Sequence, residues 1–161
     1  MHATQFSDRT EVRISRFDRN ATAAVLAMVG RCSPETTYRR FHGVVDAVAQ
    51  VTAQLAGDRH ESFVATVEGR CVGLATLATE GASAHIGVLV EDAYQRCGVG
   101  AALACAVVAR ARTLGVATLN ADVLAESRGL LPALTRIGPA RTSIERGGYR
   151  VEIALGRERA A

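Results

Sequence analysis

The chain contains no lysine and no tryptophan, and only three of its 161 residues are proline. The absence of lysine excludes a P-loop nucleotide site, because that Gly-x-x-x-x-Gly-Lys-Ser/Thr sequence requires one. Aromatic residues make up 4% of the chain and the formal net charge is +3. Neither value indicates nucleic-acid binding, which draws on strong positive charge and on aromatic side chains that stack with bases. This mild positive charge, carried by arginine alone, suits an anionic small molecule equally well.

Long hydrophobic runs and closely spaced metal ligands are also missing. No apolar run approaches the ~18 residues of a membrane span, and residues 1–13 lack the apolar core of a secretory signal. The four cysteines contain no Cys-x-x-Cys pair, and the four histidines contain no i,i+4 pair. We therefore expect no membrane association, no metal site and reduced thiols in a cytoplasmic protein. Cys71 and Cys105 lie in apolar stretches and are predicted to be core residues.

The length and the apolar fraction of 48% indicate one globular domain over 1–161, with short flexible termini at about 1–10 and 157–161. Hydrophobic periodicity separates helices from strands along the chain. Helices are predicted at 20–30, 33–43, 45–55, 98–114 and 127–137, and strands at 11–17, 61–68, 71–79, 83–90, 116–124 and in a hairpin over 141–155. This order predicts an α/β (α+β) fold, with a mixed, mostly antiparallel sheet of about six to seven strands and helices on both faces.

A glycine-containing loop precedes the helix predicted at 98–114. It reads Gln95-Arg96-Cys97-Gly98-Val99-Gly100, and Ala101 continues the small-residue surface. A helix that begins without a side-chain cap leaves N–H groups and a partial positive charge free for an anion, and glycine lets a phosphate approach. A dinucleotide site is excluded because Leu103 replaces its third glycine and no βαβ unit precedes. The alternative is an ordinary helix that follows a turn.

These residues match the pattern Gln/Arg-x-x-Gly-x-Gly/Ala after a strand, and with the element order they resemble the GNAT N-acetyltransferase superfamily. The resemblance covers about Val12 to Leu155. It implies that acetyl-CoA is the co-substrate, with its pyrophosphate on residues 95–101. It further implies that pantetheine lies beside the strand before the loop, where it pairs with the backbone of Leu89 and Val90.

Two further segments resemble a narrower group, the bacterial protein lysine acetyltransferases. Cys32 to Phe41, CSPETTYRRF, is similar to a serine-proline-glutamate and arginine-phenylalanine signature of that group. Residues 119–138 are similar to its next strand and helix. This resemblance implies that the acceptor amine is a protein lysine. The alternatives are a small-molecule amine and a catalytically silent acyl-CoA-binding regulatory module; a plain interaction domain is disfavoured by the intact loop.

The catalytic position of the family carries a different residue here. Relatives have a glutamate base on the strand before the loop, and counting back from Gln95 places His85 there. An unperturbed imidazole has a pKa of about 6.5 and can take a proton from an ammonium group near neutrality. The same substitution is also expected in a weakened enzyme or in one with a changed substrate. Glu91 and Glu80 are the alternative bases.

Other positions depart from the family as well. Ser127 stands where relatives have an asparagine that contacts the pantetheine region, and it can also cap the predicted helix. The tyrosine that protonates the leaving thiolate in many relatives has no counterpart, and the Leu89 N–H is expected to polarise the thioester carbonyl. Arg39, Arg40 and Phe41 are either a solvated helix end or a wall of the acceptor site. A homodimer is compatible with the sequence, which does not determine the oligomeric state.

Overall fold

The computed structural model describes residues 2–5 and 11–156. Eight strands and five α-helices occur in these residues. Their bounds are β1 His2–Gln5, β2 Glu11–Arg16, α1 Thr22–Arg31, α2 Pro34–Phe41, α3 Ala47–Ala56, β3 His60–Val67, β4 Arg70–Glu80, β5 Ser83–Val90, α4 Val99–Thr113, β6 Thr118–Leu124, α5 Leu131–Thr135, β7 Ala140–Glu145 and β8 Gly148–Ala154. Short 3-10 turns precede α1, follow β5 and follow β6.

All eight strands belong to one sheet with the order β1-β2-β3-β4-β5-β6-β8-β7. The pair β5–β6 is parallel and the other pairs are antiparallel. The predicted α/β class and the mixed, mostly antiparallel sheet are confirmed. The strand count rises to eight because residues 2–5, in the predicted terminal segment, pair with β2. Residues 6–10 and 157–161 of the predicted termini lie outside the described residues.

The sheet is covered on both faces, because alternate residues of its central strands enter two different apolar clusters. Phe63 and Ala65 pack on the α4 side with Leu103 and Val107. Val64, between them in the sequence, packs on the other side with α1 and α3. This second face, which α2 also contacts through β5, is called the α1–α3 face below. In the described residues, no helix is long and apolar enough to cross a membrane.

Side chains cap the second and third helices and the 3-10 turn before the first, whereas α1 itself has no side-chain cap. The Asp18 carboxylate accepts from the Asn20 N–H in that turn, and the Ser33 hydroxyl accepts from the Thr36 N–H with Pro34 at the first helical position of α2. The third helix begins two residues later than predicted because Asp46 accepts from the Ala49 N–H at 3.0 Å. An Asx cap satisfies an N–H that would otherwise lack a partner.

Two sequence predictions about helices are wrong. The segment predicted as one helix over 127–137 is a 3-10 turn, Ala125–Leu130, followed by the short α5. Proline fits the first turn of an α-helix, where its missing N–H is not needed, so the α-helical part begins beside Pro132.

Cys105 is exposed, whereas Cys71 is buried as predicted. Cys105 lies two residues after Leu103, which turns it away from the face of α4 that packs on the sheet.

Candidate active site

The strands β5 and β6 pair over only three residues and then separate. The parallel register joins Ser83 to Thr118, Ala84 to Leu119 and His85 to Asn120, and no pairing follows His85. Beyond that point β6 continues in register with β8, as far as Leu124 opposite Gly148. After His85, the edge of β5 that faces β6 therefore has no strand partner among the described residues. The resemblance to the acetyltransferases implies an opening here, because it places pantetheine beside this strand.

The loop after β5 leads into the N-terminus of α4, which carries unpaired N–H groups. The first intrahelical hydrogen bond of α4 joins the Ala102 N–H to the Gly98 carbonyl at 3.0 Å. The N–H groups of Val99, Gly100 and Ala101 therefore point out of the helix end, together with the positive end of its dipole. No side chain caps α4. Its N-terminus thus retains the capacity to bind an anion.

The backbone of this loop adopts a left-handed conformation at two residues. Gly98 has φ of +85° and Arg96 has φ of +59°, both in the left-handed region. The Arg96 side chain is exposed, and Cys97 is exposed with its Sγ 3.2 Å from the Gln95 carbonyl oxygen. Val99 is buried in the core, so only its backbone faces the helix end. Residues 96–101 thus offer backbone groups and one arginine to a phosphate.

A polar network holds this loop against α2. The Asp92 carboxylate accepts from the Ser33 N–H at 2.9 Å, from the Ser33 hydroxyl at 2.5 Å and from the Thr36 hydroxyl at 2.9 Å. The Gln95 amide donates to Thr36 Oγ1 at 2.9 Å and to the Val90 carbonyl at 3.0 Å. Burial raises the pKa of Asp92, but the hydrogen bonds from Ser33 and Thr36 outweigh it and leave this pKa below its usual value.

This network gives a structural role to Gln95, which the sequence analysis placed in the cofactor site. The Gln95 side chain and its N–H, which donates to the Asp92 carbonyl at 3.2 Å, both have protein partners. The serine of the CSPETTYRRF segment joins α2 to the start of the loop. Gln95 thus shapes the loop from inside, while residues 96–101 form its outer surface.

His85 lies on the α1–α3 face at the point where β5 and β6 separate. Its register partners are Ala78 on β4 and Asn120 on β6, and Ala78 also pairs with His60 on β3. Directly paired residues project to the same face of a sheet, so these four side chains form one row. Asn120 is buried and its amide is 3.4 Å from the Ala84 carbonyl. Sequence reasoning missed Asn120 because an asparagine inside a strand has no recognisable spacing.

A shallow pocket of about 190 Å³ opens beside His85. It is lined by Arg59, His60, Ala78, Thr79, Glu80 and His85. The Nδ1 atom of His60 is buried and lacks a hydrogen-bond partner among the described residues. The pocket connects the row of side chains at the strand separation to solvent. A base at His85 would therefore have a route for passing its proton to water.

The two alternative bases, Glu80 and Glu91, lie in different environments. Glu80 is exposed and lines the same pocket as His85. Glu91 is buried, and its carboxylate accepts from Arg31 at 3.1 and 3.0 Å and from Arg70 at 2.6 Å. The hydrogen bond from Arg31 is the main cause that holds the pKa of Glu91 below its ordinary value, against desolvation. Glu91 is a structural anion rather than a base.

We expect Glu91→Gln to lower the free energy of unfolding by roughly 2 kcal/mol at neutral pH, because Arg31 and Arg70 lose their shared anion. The pKa of Glu91 is depressed by folding, so its contribution is present above the unfolded value of about 4.3 and is lost as pH falls. Urea unfolding at about pH 7 and pH 3.5 measures this. If the free energy of unfolding of Glu91→Gln depended on pH as strongly as that of the wild type, Glu91 would not be the structural anion.

Helix α2 presents two arginines to different surroundings. Arg39 pairs with Glu35 on its own helix and lies 3.6 Å from Glu126 in the turn after β6. Arg40 instead points inward, and its Nη2 donates to Thr76 Oγ1 at 2.9 Å and to Gln54 Oε1 at 3.3 Å. Of the two predicted roles for this segment, the solvated helix end therefore fails for Arg40. Burial lowers the pKa of its guanidinium to about 10.

Ser127 lies in the 3-10 turn after β6 and is half-buried. The residue at the cap position of that turn is Leu124, so the predicted capping role of Ser127 is wrong. The turn faces α2, as the contact between Arg39 and Glu126 shows. Ser127 therefore remains near the β6 side of the gap, where a contact with pantetheine stays a prediction.

The hydrogen-bond alternation of β5 decides which backbone N–H groups face the gap. The Glu91 N–H donates to the Val72 carbonyl at 2.9 Å, and the register places Leu89 opposite Leu74. Since hydrogen-bonded pairs alternate in an antiparallel ladder, the Leu89 N–H is directed at β4. The N–H groups of Val88 and Val90 are then directed at the open edge. The carbonyl contact expected from Leu89 is thus better placed at Val88.

Comparison with known proteins agrees with this fold. Residues 31–138 match the model of the "Acetyltransferase (GNAT) family". The chain is similar to the GNAT domain of S. lividans PAT, with a TM-score of 0.82, 22% identity and 96% of each chain covered.

Two further similar structures contain a ligand. One is the PaiA N-acetyltransferase from Thermoplasma acidophilum in complex with coenzyme A, with a TM-score of 0.68 and 11% identity. It covers 89% of this chain and 98% of its own. The other is YncA, a putative acetyltransferase from Salmonella typhimurium with acetyl-CoA, with a TM-score of 0.65 and 18% identity. It covers 92% of this chain and 96% of its own. At these identities the likeness concerns the fold.

Proposed function

Because the chain belongs to the acetyltransferase (GNAT) family, with acetyl-CoA as its co-substrate, we propose that it acetylates a protein lysine with His85 as the base. The observation that carries the proposal is the separation of β5 from β6 directly after His85. That separation puts an imidazole at the inner end of a gap whose outer end is the N-terminus of α4.

The acyl donor fits residues that the fold already leaves without partners. The N–H groups of Val99, Gly100 and Ala101, with the Arg96 guanidinium, would hold the pyrophosphate. The open edge of β5 at Val88 and Val90 would pair with pantetheine, and Ser127 would lie on its other side. When bound, acetyl-CoA supplies an acyl thioester. The comparison structures with coenzyme A and acetyl-CoA support acetyl-CoA as the co-substrate.

The chain's own residues would then perform two tasks. His85 takes a proton from the acceptor ammonium and releases it through the pocket that it shares with His60 and Glu80. The Val88 N–H faces the carbonyl oxygen on which negative charge develops. The leaving thiolate needs no dedicated acid, since a thiol has an ordinary pKa of about 8.5.

The protein lysine acceptor is supported by two likenesses. The CSPETTYRRF segment resembles that of bacterial protein lysine acetyltransferases, and the GNAT domain of S. lividans PAT gives a TM-score of 0.82 over 96% of this chain. A small-molecule amine remains the alternative acceptor. The replacement of the family glutamate by His85 favours a second candidate function, a silent acyl-CoA-binding module.

We expect label on particular protein lysines when host lysate is incubated with isotopically labelled acetyl-CoA and the purified protein, and peptide mass spectrometry reads the sites. The His85→Ala variant serves as the matched control and should leave those sites unlabelled. Label found only in small amines would reject the lysine acceptor and retain the chemistry. No label above background, with acetyl-CoA still bound, would favour the silent module.

A further inference from the structure

The guanidinium of Arg40 lies against β5, the strand that carries His85, without a negatively charged partner among the described residues. Among the described residues, no carboxylate lies within ion-pair distance of Arg40, whereas Arg31, Arg39, Arg70, Arg110 and Arg150 all have one. Only its Nη2 atom has acceptors, the neutral groups of Thr76 and Gln54. Taking a guanidinium out of water is costly unless an anion compensates for it.

The Arg40 guanidinium lies directly on β5 at Gly87. A Cβ atom built on Gly87 would overlap it, within 2.8 Å of Nη1, so the missing side chain is what makes room. Gly87 is opposite Thr76 in the register and two residues after His85. Residues two apart project to the same face of a strand and are separated by about 7 Å. The charge therefore lies beside the proposed base, on the α1–α3 face.

We propose that Arg40 is a carboxylate subsite at the reacting end of the site; this inference rests on the proposed function. The Nε and Nη1 groups, which have no acceptor among the described residues, would bind the carboxylate. A permanent anion would offset the cost of holding the guanidinium away from water, and such charge-assisted hydrogen bonds are strong. Among the described residues no carboxylate is within ion-pair distance of the Arg40 guanidinium, and His85 stands where the resemblance implies a glutamate.

The carboxylate can come from either reactant. The donor would supply it as a dicarboxylic acyl-CoA, for which freshly prepared succinyl-CoA serves as the probe. The acceptor would supply it as an α-amino acid, whose carboxylate lies next to the reacting amine. The first source is compatible with a protein lysine acceptor, and the second would replace it with a small molecule.

Calorimetry separates the two sources without requiring turnover. In the donor arm, wild-type protein binds succinyl-CoA and butyryl-CoA, which have four-carbon acyl groups and differ in the terminal carboxylate. In the acceptor arm, protein saturated with coenzyme A binds L-alanine and L-alaninamide. We expect a preference of at least about tenfold for the carboxylate in one arm, and Arg40→Met should abolish it. Arg19→Met, which removes one exposed charge before α1, should retain it.

Each result bears on the subsite. A carboxylate preference that Arg40→Met removes supports it and names its source. No preference of the wild-type protein in either arm overturns it, whatever the variants do. If Arg40→Met does not fold, Arg40→Lys keeps the charge and should keep a reduced preference. Equal weakening of all four ligands in either variant would indicate a role in the fold and overturn the proposal. Acetyl transfer by the wild-type protein would survive these failures, so the proposed function is tested separately.

Discussion

Replacement of His85 by alanine should lower the turnover number by at least about tenfold, toward the 10²–10⁴-fold effect of a positioned general base. The dissociation constant of acetyl-CoA should stay within about twofold, because the contacts proposed for acetyl-CoA lie at the α4 N-terminus and the β5 edge. The imidazole lies at the end of the β5–β6 pairing, beside a pocket that opens to solvent. Steady-state kinetics and calorimetry on the same preparations measure the two quantities.

Two neighbouring variants make the His85 experiment specific. Glu80→Gln and His60→Ala alter the same pocket without touching the strand separation, and we expect each to reduce turnover far less than His85→Ala. A larger loss in Glu80→Gln would transfer the role of base to Glu80. Unchanged turnover in His85→Ala would exclude His85 as the base and, with acetyl-CoA still bound, would favour the silent module.

Gly98→Val should abolish the measurable binding of coenzyme A. Gly98 has φ of +85° at the cap of α4, and a branched side chain there would either displace the loop or cover the free N–H groups of Val99 to Ala101. Because no other cap or lysine supports a phosphate at this helix end, the loss should exceed that from Arg96→Ala, which removes one exposed side chain. Isothermal titration with coenzyme A gives the affinities.

The matched control for this substitution lies at the other end of the same helix. Gly115 lies two residues after Thr113, the last residue of α4, has φ of +73° and has open space where a Cβ would stand. Gly115→Val therefore carries a similar backbone strain of roughly 1–2 kcal/mol. Thermal melts should show comparable destabilisation of both variants, while only Gly98→Val loses coenzyme A. Affinity retained in Gly98→Val would contradict the assignment of the α4 N-terminus as the phosphate site.

Much of the candidate site could be read from local sequence because its signals are short. Gly98 and the absence of a cap predicted a free helix N-terminus, and the structure has both features. The helix predicted over 33–43 begins at Pro34, with Ser33 as its cap. Counting along one strand placed His85 before the loop. These inferences depend on neighbours within a few residues, where backbone geometry leaves few alternatives.

The errors arise where distant segments decide the outcome. Glu91 was an acceptable base by position, yet Arg31 and Arg70 reach it from α1 and β4 and make it structural. The Leu89 N–H was assigned to the gap, but its direction depends on the hydrogen-bond phase between β4 and β5. The error in the helix predicted over 127–137 is local instead, because Pro132 fits the first turn of a helix and the α-helical part begins beside it.

By itself, the sequence determined the α/β class, the order of most elements and the uncapped helix end, and it predicted a histidine where the resemblance implies a glutamate. Each of these follows from residue type, spacing and resemblance along a continuous stretch of chain. Only the tertiary structure decided where β5 leaves β6, that Asn120 and His60 join the row of His85, and that Arg40 lies over Gly87. Those facts depend on strand register and helix docking between segments that are distant in the sequence, as in the bond from Arg40 to Thr76 across 36 residues, and local propensity carries no information about them.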